Sequence, residues 1–489
     1  MLFNSFGFLF VFLSATLLVY SLAAANGAGR AFLQTLLFAA SCVFIGASGL
    51  LSLSLLLFSL GMNFLLLRWM SGTVAEDSRR RIMLVSVVAN LGLIAVFKYG
   101  DFFGQSLAYL SGAAIPLAEV TLPLAISFYT FQLIALTVDN WRNHRRCPSF
   151  PKLAIFVTFF PQLIAGPIVR YDEVEKFFDS LGVVRAHDLA IGFTIFGVGL
   201  FKKAVLADGL APTANVFFAG VESGADPTLL EAWAGALTYT FQIYFDFSGY
   251  SDMAVGLAML FGIRLPANFY SPYRATSIIE FWRRWHMTLS SWLRDYLYIP
   301  LGGNRKGMLS RWRNVFVTML LGGLWHGASW NFVFWGGFHG LLIAGNHAAR
   351  HFGIRTGPAL GWILTFFAVV MGWVIFRTTD VEAAMRIYSG LFGLNGVVLP
   401  GRLEVIFGEV LQGLPAISFG SSEFVRVPAA VFCGFTGLIA LLIPNSEQLF
   451  RERDLSVVLT PRTAVIAGAV ATFGIFGIHQ AVPFVYFRF

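Results

Sequence analysis

The chain has 489 residues, 57% of them hydrophobic and only 12% charged. A soluble domain carries about 25% charged residues, so this chain lacks the groups to cover a water-facing surface and reads as a polytopic helical membrane protein. Its net charge of +8 comes from Lys and Arg gathered in loops, where they set topology rather than bind nucleic acid.

Residues 6–25 are apolar but lack a basic leading region, which predicts a first retained helix rather than a removed signal peptide. Residues 31–70 are long enough for two spans, breaking near 46–49. A charged loop with Arg79, Arg80 and Arg81 precedes the next span, 82–97. Residues 99–121 hold Asp101 and Glu119 but no Lys or Arg, and 122–138 span again. Residues 139–152 are basic, through Arg142, Arg145, Arg146 and Lys152. Loops rich in Lys and Arg face the cytoplasm, and the alternation orients the segment.

Residues 153–168 are apolar but interrupted by Pro161, Gly166 and Pro167, and proline removes a backbone donor. The next apolar run, 189–206, carries Lys202 and Lys203 awkwardly near its end. The loop after it, 215–231, is acidic. If that loop is outside, a single full crossing separates it from Lys152, and 153–168 is predicted to be re-entrant, dipping in and returning. Arg145 and Asp172 are then expected on the same side. Residues 229–260 form one long span or a broken pair. Their middle, Asp246-Phe247-Ser248-Gly249-Tyr250-Ser251-Asp252, puts two carboxylates at membrane depth. Those carboxylates read either as a helix break facing an aqueous mouth or as the polar lining of a substrate tunnel.

Residues 264–313 are the most basic stretch and are expected on the cytoplasmic side. Within them Ile278, Trp282, Trp285, Leu289, Trp292, Tyr296 and Ile299 recur at steps of four and three, one apolar stripe on one helix that lies in the membrane interface or packs across the cytoplasmic mouth of a bundle. His286 sits beside that stripe, and its bland reading is a half-buried interfacial histidine. The apolar run 314–346 follows. At about 1.5 Å per residue, His326 lies roughly 20 Å beyond Arg313 in a bilayer core about 30 Å thick. An ionisable residue at that depth is a functional-site candidate; the bland alternative is a histidine hydrogen-bonded between helices. Gly322, Gly323 and Gly327 are expected to strip bulk from around the ring, as a site admitting a substrate needs.

Residues 358–376 span, 391–424 are weakly patterned and suit external or interfacial helices, and 427–444 and 463–478 close the count. The expectation is an all-α bundle of about eleven membrane helices, with re-entrant and interfacial pieces around a central tunnel. It is one integral membrane domain over 1–489: N-terminal helices 1–138, a motif-bearing core 139–346 and C-terminal helices 347–489.

No P-loop, dinucleotide-binding glycine pattern, H-E-x-x-H or G-x-S-x-G is present. His326 and His339 make a weak metal pair. Cys42, Cys147 and Cys433 have no C-x-x-C spacing and argue against a disulfide framework or structural zinc; no metal site is expected. Arginines suit a phosphate-bearing cytoplasmic ligand, and a neutral imidazole suits proton abstraction from a hydroxyl. Acyl transfer from a nucleotide-linked donor is compatible with these parts. So is a proton- or ion-coupled transporter using His326 and Asp246 as a relay.

The run Phe281-Trp282-Arg283-Arg284-Trp285-His286, continuing through Trp292-Leu293-Arg294-Asp295-Tyr296-Leu297-Tyr298-Ile299-Pro300-Leu301-Gly302-Gly303-Asn304-Arg305, resembles the hallmark of the membrane-bound O-acyltransferase (MBOAT) family, most of all its bacterial, AlgI-like alginate O-acetylation branch. Gly323-Leu324-Trp325-His326-Gly327-Ala328, the stretch 160–168, the stretch 244–252 and the ending 484–489 are similar to it too. The resemblance implies that His326 is the catalytic histidine and His286 the second one. Arg283, Arg284, Trp285, Asp246, Asp252 and Asn331 are tentative substrate- or donor-binding residues. No bound cofactor is implied; acetyl-CoA is the implied acyl-donor substrate. Implied partners are membrane lipids, a periplasmic SGNH-type acetyltransferase and a polysaccharide acceptor, with the chain multi-pass in the bacterial inner membrane. Alginate is the first acceptor, with peptidoglycan, cellulose, teichoic acid (with a D-alanyl donor) or a lipid as alternatives on the same fold.

Overall fold

A computed structural model describes residues 1–112, 121–183, 185–406, 417–422, 424, 426–450, 460–478 and 484–485. The described residues are mainly helical, with one short pair of strands among them. The N-terminal helices are α1 (Ser14–Ala25), α2 (Arg30–Gly46), α3 (Leu50–Gly72) and α4 (Glu76–Ser111). The break between α2 and α3 falls where the sequence places it. Helix α4 is longer than expected: it runs unbroken through 99–111, carrying Lys98 and Tyr99 on one rigid rod. Glu119 lies outside the described residues. Helix α5 (Ile126–Arg142) follows.

Residues 153–168 do not cross. Helix α6 (Phe150–Thr158) ends at Phe159, and α7 (Phe160–Leu163) is a single turn started by Pro161. The piece is buried in protein, which lets an irregular backbone persist at such depth. Phe160 N donates to Ser41 Oγ at 3.0 Å. Helix α8 (Tyr171–Phe178) returns on the face it left: Arg145 and Asp172 are 3.9 Å apart, and Lys152 meets Asp179 at 2.9 Å. Arg142 donates to the Asp295 carbonyl and Arg170 pairs with the Asp295 carboxylate. The loop 139–152, helix α8 and the turn at 294–298 therefore share one basic face.

Helix α9 (Ala186–Phe201) passes through a π-helical stretch, Lys202–Ala207, into α10 (Asp208–Glu222). Helix α11 (Leu229–Leu260) is one unbroken rod of 32 residues, so the break considered at Asp246–Asp252 is absent. Helices α9 and α11 cross backbone to backbone. A Cβ on Gly199 would stand 2.6 Å from the Gly249 carbonyl, so the crossing needs glycine there. The close crossing brings Lys202 and Lys203 against the carboxylates of α11.

The apolar stripe of 278–299 is not one helix. It divides into α12 (Ile278–Arg284), α13 (Met287–Leu293) and a π turn, Arg294–Tyr298, because His286 takes the left-handed conformation at φ +42°. Helices α14 (Met308–His326) and α15 (Trp330–His351) form a hairpin, followed by α16 (Pro358–Arg377) and α17 (Val381–Leu391). Helices were expected within 391–424; the described residues there include the helical stretch 401–406 and a strand, β1 (Val397–Pro400), that pairs in parallel with β2 (Ile417–Gly420), while 407–416 lie outside the described residues. Helices α18 (Val427–Leu442), α19 (Ser446–Phe450) and α20 (Pro461–Phe476) end the description.

Among the described residues five helical stretches are long and apolar enough to cross a bilayer: Gly7–Ala25, Leu50–Gly72, Glu76–Ser111, Ala186–Glu222 and Pro358–Arg377. Arg30–Gly46, Val427–Leu442 and Pro461–Phe476 are apolar but shorter. Apolarity alone thus yields fewer than the eleven expected. Helices α11, α14 and α15 are long enough, but polar side chains along them, Asp246, His326 and His339 among them, lower their apolarity.

Candidate active site

Helix α14 rises from the basic face and stops at His326. Gly327 is extended at φ −162°, and the chain turns back into α15. A helix end leaves its last carbonyls without intrahelical donors. Helix α4 supplies them. Tyr99 Oη donates to the Leu324 carbonyl at 2.8 Å, and Lys98 Nζ donates to the carbonyls of Trp325 at 2.6 Å and His326 at 3.2 Å. The His326 ring is 5% exposed and held edge-on by Trp335 at 5.0 Å and Phe376 at 5.4 Å. It is not sealed in. It lines a cavity of ≈ 150 Å³ with Lys98, Ser127, Phe128, Trp325 and Phe484.

The glycines beside His326 do not make that space. A Cβ on Gly323 would lie 2.2 Å from the Phe332 carbonyl, and one on Gly327 would lie 2.1 Å from the Phe332 ring. They let α15 pack on α14, and Gly322 faces Leu293. The expectation that they clear room for a substrate is corrected: they fix the hairpin, and the hairpin fixes His326.

His286 is fully buried, not half-buried at an interface. The break between α12 and α13 drives its ring inward, at a cost of about 1–3 kcal/mol for a left-handed non-glycine residue. Asn268 holds it there. Its Oδ1 accepts from His286 Nδ1 at 3.0 Å and from Thr288 Oγ1 at 2.9 Å, while its Nδ2 donates to Ser251 Oγ at 3.2 Å. Its carbonyl also accepts from Met287 N. With Oδ1 accepting, Nδ1 carries the hydrogen, and Nε2 is left with its lone pair and no hydrogen-bond partner among the described residues. The ring lies 6.1 Å from Trp325, itself 5.0 Å from His326. Asn268→Leu is expected to lower turnover at this site by up to about 10²-fold, the loss that misplacing a positioned group by about 1 Å can cause. Asn268→Asp keeps an acceptor for Nδ1–H and should lose less. Equal rates for the two variants would show that ring orientation is not what Asn268 supplies.

A second cavity, ≈ 610 Å³, opens among α12, α13, α14 and α15. Arg283, Arg294, Arg311, His347 and Asn304 bring donors to it, and Trp282, Met319 and Leu293 give it apolar walls. A space this large, apolar with a few converging cations, can hold a phosphate-bearing ligand. Leu289, Trp292, Leu293, Phe131 and Trp325 pack as a layer between this basin and the His326 cavity. The two cavities share no lining residue. The expected central tunnel corresponds here to a basin and a smaller cavity whose walls meet in that aromatic and leucine layer, through Leu293 and Trp325.

The other expected residues scatter. Arg283 is on the basin wall. Arg284 binds Glu280 at 2.6 Å and lies over the Tyr270 ring. Trp285 is buried against Phe281 and Trp373. Asp246 pairs with Lys203 at 2.6 Å and accepts from Val485 N at 2.8 Å, and Asp252 pairs with Lys202 at 2.6 Å. Neither carboxylate lines the basin or the His326 cavity. Asn331 closes the end of α16 by donating to the Thr378 carbonyl at 2.5 Å. Among the described residues no group of His, Cys, Asp and Glu could hold a metal ion. Lys98, Asn268, Arg311 and His347 belong to the site and escape the sequence reading. Lys98 leaves a trace there, as a lysine closing the apolar run 82–97, and Arg311 leaves one as a member of the basic stretch 264–313.

A sequence model of the MBOAT, membrane-bound O-acyltransferase family matches residues 37–379. The chain is 35% identical to a peptidoglycan O-acetyltransferase of Helicobacter pylori over 100% of its own length and 98% of the relative's. It is 42% identical to a probable alginate O-acetylase AlgI of Azotobacter vinelandii, over 81% of this chain and 79% of that one. A probable alginate O-acetylase AlgI of Pseudomonas aeruginosa is 41% identical over 88% and 83% of the two chains.

Proposed function

The chain belongs to the membrane-bound O-acyltransferase family, and from that premise we propose that it takes acetyl from acetyl-CoA on the cytoplasmic side and delivers it across the inner membrane for O-acetylation of an exported polysaccharide, alginate in the first instance. The observation that carries this reading is the placement of His326. It stands on the wall of one cavity, with an arginine-lined basin on the far side of a single packed layer. The basin opens among the most basic loops, which by the positive-inside rule supports a donor that arrives from the cytoplasm. The smaller cavity then receives the acceptor hydroxyl, directly or from a periplasmic SGNH-type partner.

In this reading the thioester arm reaches past Leu293 and Trp325 toward His326. The imidazole takes the proton of the attacking hydroxyl, the hydroxyl oxygen bonds to the acyl carbon, and the thiolate leaves with a proton. His286, with an acceptor lone pair at Nε2, takes a hydrogen bond from an amide N–H of the donor's arm and so orients it. Arg283 and Arg311 hold the phosphates of the donor. Peptidoglycan is the second acceptor reading, favoured by one observation: the H. pylori relative aligns along the whole of this chain.

The experiment is acetyl transfer from labelled acetyl-CoA to added alginate or peptidoglycan, in membranes that contain the full chain. Arg283→Ala is expected to raise the donor KM by about tenfold, one charge-assisted hydrogen bond being worth about 1.5–3 kcal/mol, with turnover at saturation nearly unchanged. A rate that does not depend on acetyl-CoA concentration in either protein would remove the donor assignment.

A further inference from the structure

Among the described residues lining the His326 cavity, Lys98 alone brings an amine. An ammonium on a membrane helix is costly to keep, yet no carboxylate among the described residues lies within 4 Å of it. Two of its hydrogens go to carbonyls at the end of α14, at 2.6 and 3.2 Å. The third points to Ser127 Oγ at 3.5 Å, the weak limit of a hydrogen bond. Helix closure does not account for the charge, because neutral donors satisfy helix-end carbonyls, as Tyr99 does for Leu324. The ammonium also lies 5.8 Å from the centroid of the Trp325 ring, on the same wall as the histidine.

We propose that Lys98 is a catalytic residue that donates its weakly used N–H to the acyl oxygen as that oxygen becomes an oxyanion beside His326. The inference rests on the acyl-transfer reading of His326. As the acceptor oxygen bonds to the acyl carbon, the carbonyl π pair moves onto the acyl oxygen and the hydroxyl proton moves to His326. The negative oxygen then sits against the ammonium, in a site with little water to compete. Collapse re-forms the carbonyl and breaks the carbon–sulfur bond, and the departing thiolate takes the proton from His326. The anchoring of Lys98 Nζ to the His326 carbonyl keeps base and oxyanion donor in one fixed frame.

The test uses the full chain in membranes with acetyl-CoA as donor and alginate or peptidoglycan as acceptor. Lys98→Met is expected to lower turnover by about 10²–10³-fold, the loss seen when one oxyanion donor is removed, with the donor KM and the melting temperature of the detergent-solubilised protein little changed. Lys98→Arg, which keeps charge and donors, should recover much of that loss. Wild-type turnover in Lys98→Met overturns the proposal. So does an equal fall in both variants accompanied by a lower melting temperature, which would mark a purely structural lysine. If His326→Ala is inactive while Lys98→Met is active, this proposal alone fails. If both are active, the acyl-transfer reading fails with it.

Discussion

Alanine in place of His326 is expected to lower acetyl transfer by at least about 10²–10⁴-fold, the contribution of a positioned general base, while the chain still accumulates in the membrane. The two halves of that outcome have separate causes. The ring is one of several aromatic groups around Trp335 and Phe376, and its loss leaves a cavity beside one that already exists. The α14–α15 hairpin is fixed by Gly323 and Gly327 against Phe332, not by the histidine. The catalytic half has no substitute nearby. His286 and His339 lie within electrostatic reach, but neither lines the small cavity. The measurement is acetyl content of exported polymer together with the level of protein in isolated membranes. Normal acetylation with His326→Ala would remove the central assignment. Loss of the protein from the membrane would move His326 from chemistry to packing. His339→Ala is the control and should cost far less.

The sequence carries the depth of His326 because depth needs only a helical rise and a basic boundary, and Arg313 supplies the boundary. It carries the re-entrant piece because charge alternation is a parity argument, satisfied here by Arg145 and Asp172 on one face. It does not carry the break at His286. A heptad-like stripe from Ile278 to Ile299 looks the same whether one helix bears it or two, and the left-handed backbone that separates them rests on a distant loop through Asn268. Lys98 is hidden for a related reason. Its role depends on the end of α14, more than two hundred positions away, and such pairings leave no local signature. The glycines mislead in the opposite direction: small residues beside a buried histidine suit a substrate or a helix crossing equally well, and only the Phe332 carbonyl decides. The carboxylates Asp246 and Asp252 were legible as deeply placed charges. Their partners, Lys203 and Lys202, were visible as awkward lysines in another helix. What was missing was the crossing at Gly199 and Gly249 that joins them.

That crossing makes a second large effect predictable, on stability rather than on chemistry. Asp246→Leu strips Lys203 of its 2.6 Å partner where the lysine side chain is 2% exposed and the aspartate 1%. Asp208 remains at 2.7 Å, so the charge keeps one carboxylate. Removing one member of a buried pair costs about 3–5 kcal/mol, because the other is left desolvated with too little compensation. Asp208 brings the expected loss toward the lower end. The change also leaves Val485 N without its acceptor. Lys203→Met should be worse than Asp246→Leu, since it leaves Asp246 buried and Asp208 partly buried, both ionisable and without the lysine. The double variant, Lys203→Met with Asp246→Leu, is expected to be more stable than Lys203→Met alone, because exchanging a buried pair for apolar side chains of similar size is often close to neutral. Melting of the detergent-solubilised protein, read for the four forms as a double-mutant cycle, measures the coupling. Donor KM supplies the contrast with a lining role. A carboxylate on a substrate path would shift KM or turnover in protein that melts normally. A carboxylate that holds α11 to the π-helical turn after α9 lowers the melting temperature and leaves the kinetics of the surviving protein intact. Coupling near zero, or a kinetic change without a thermal one, would return Asp246 to the path of the substrate.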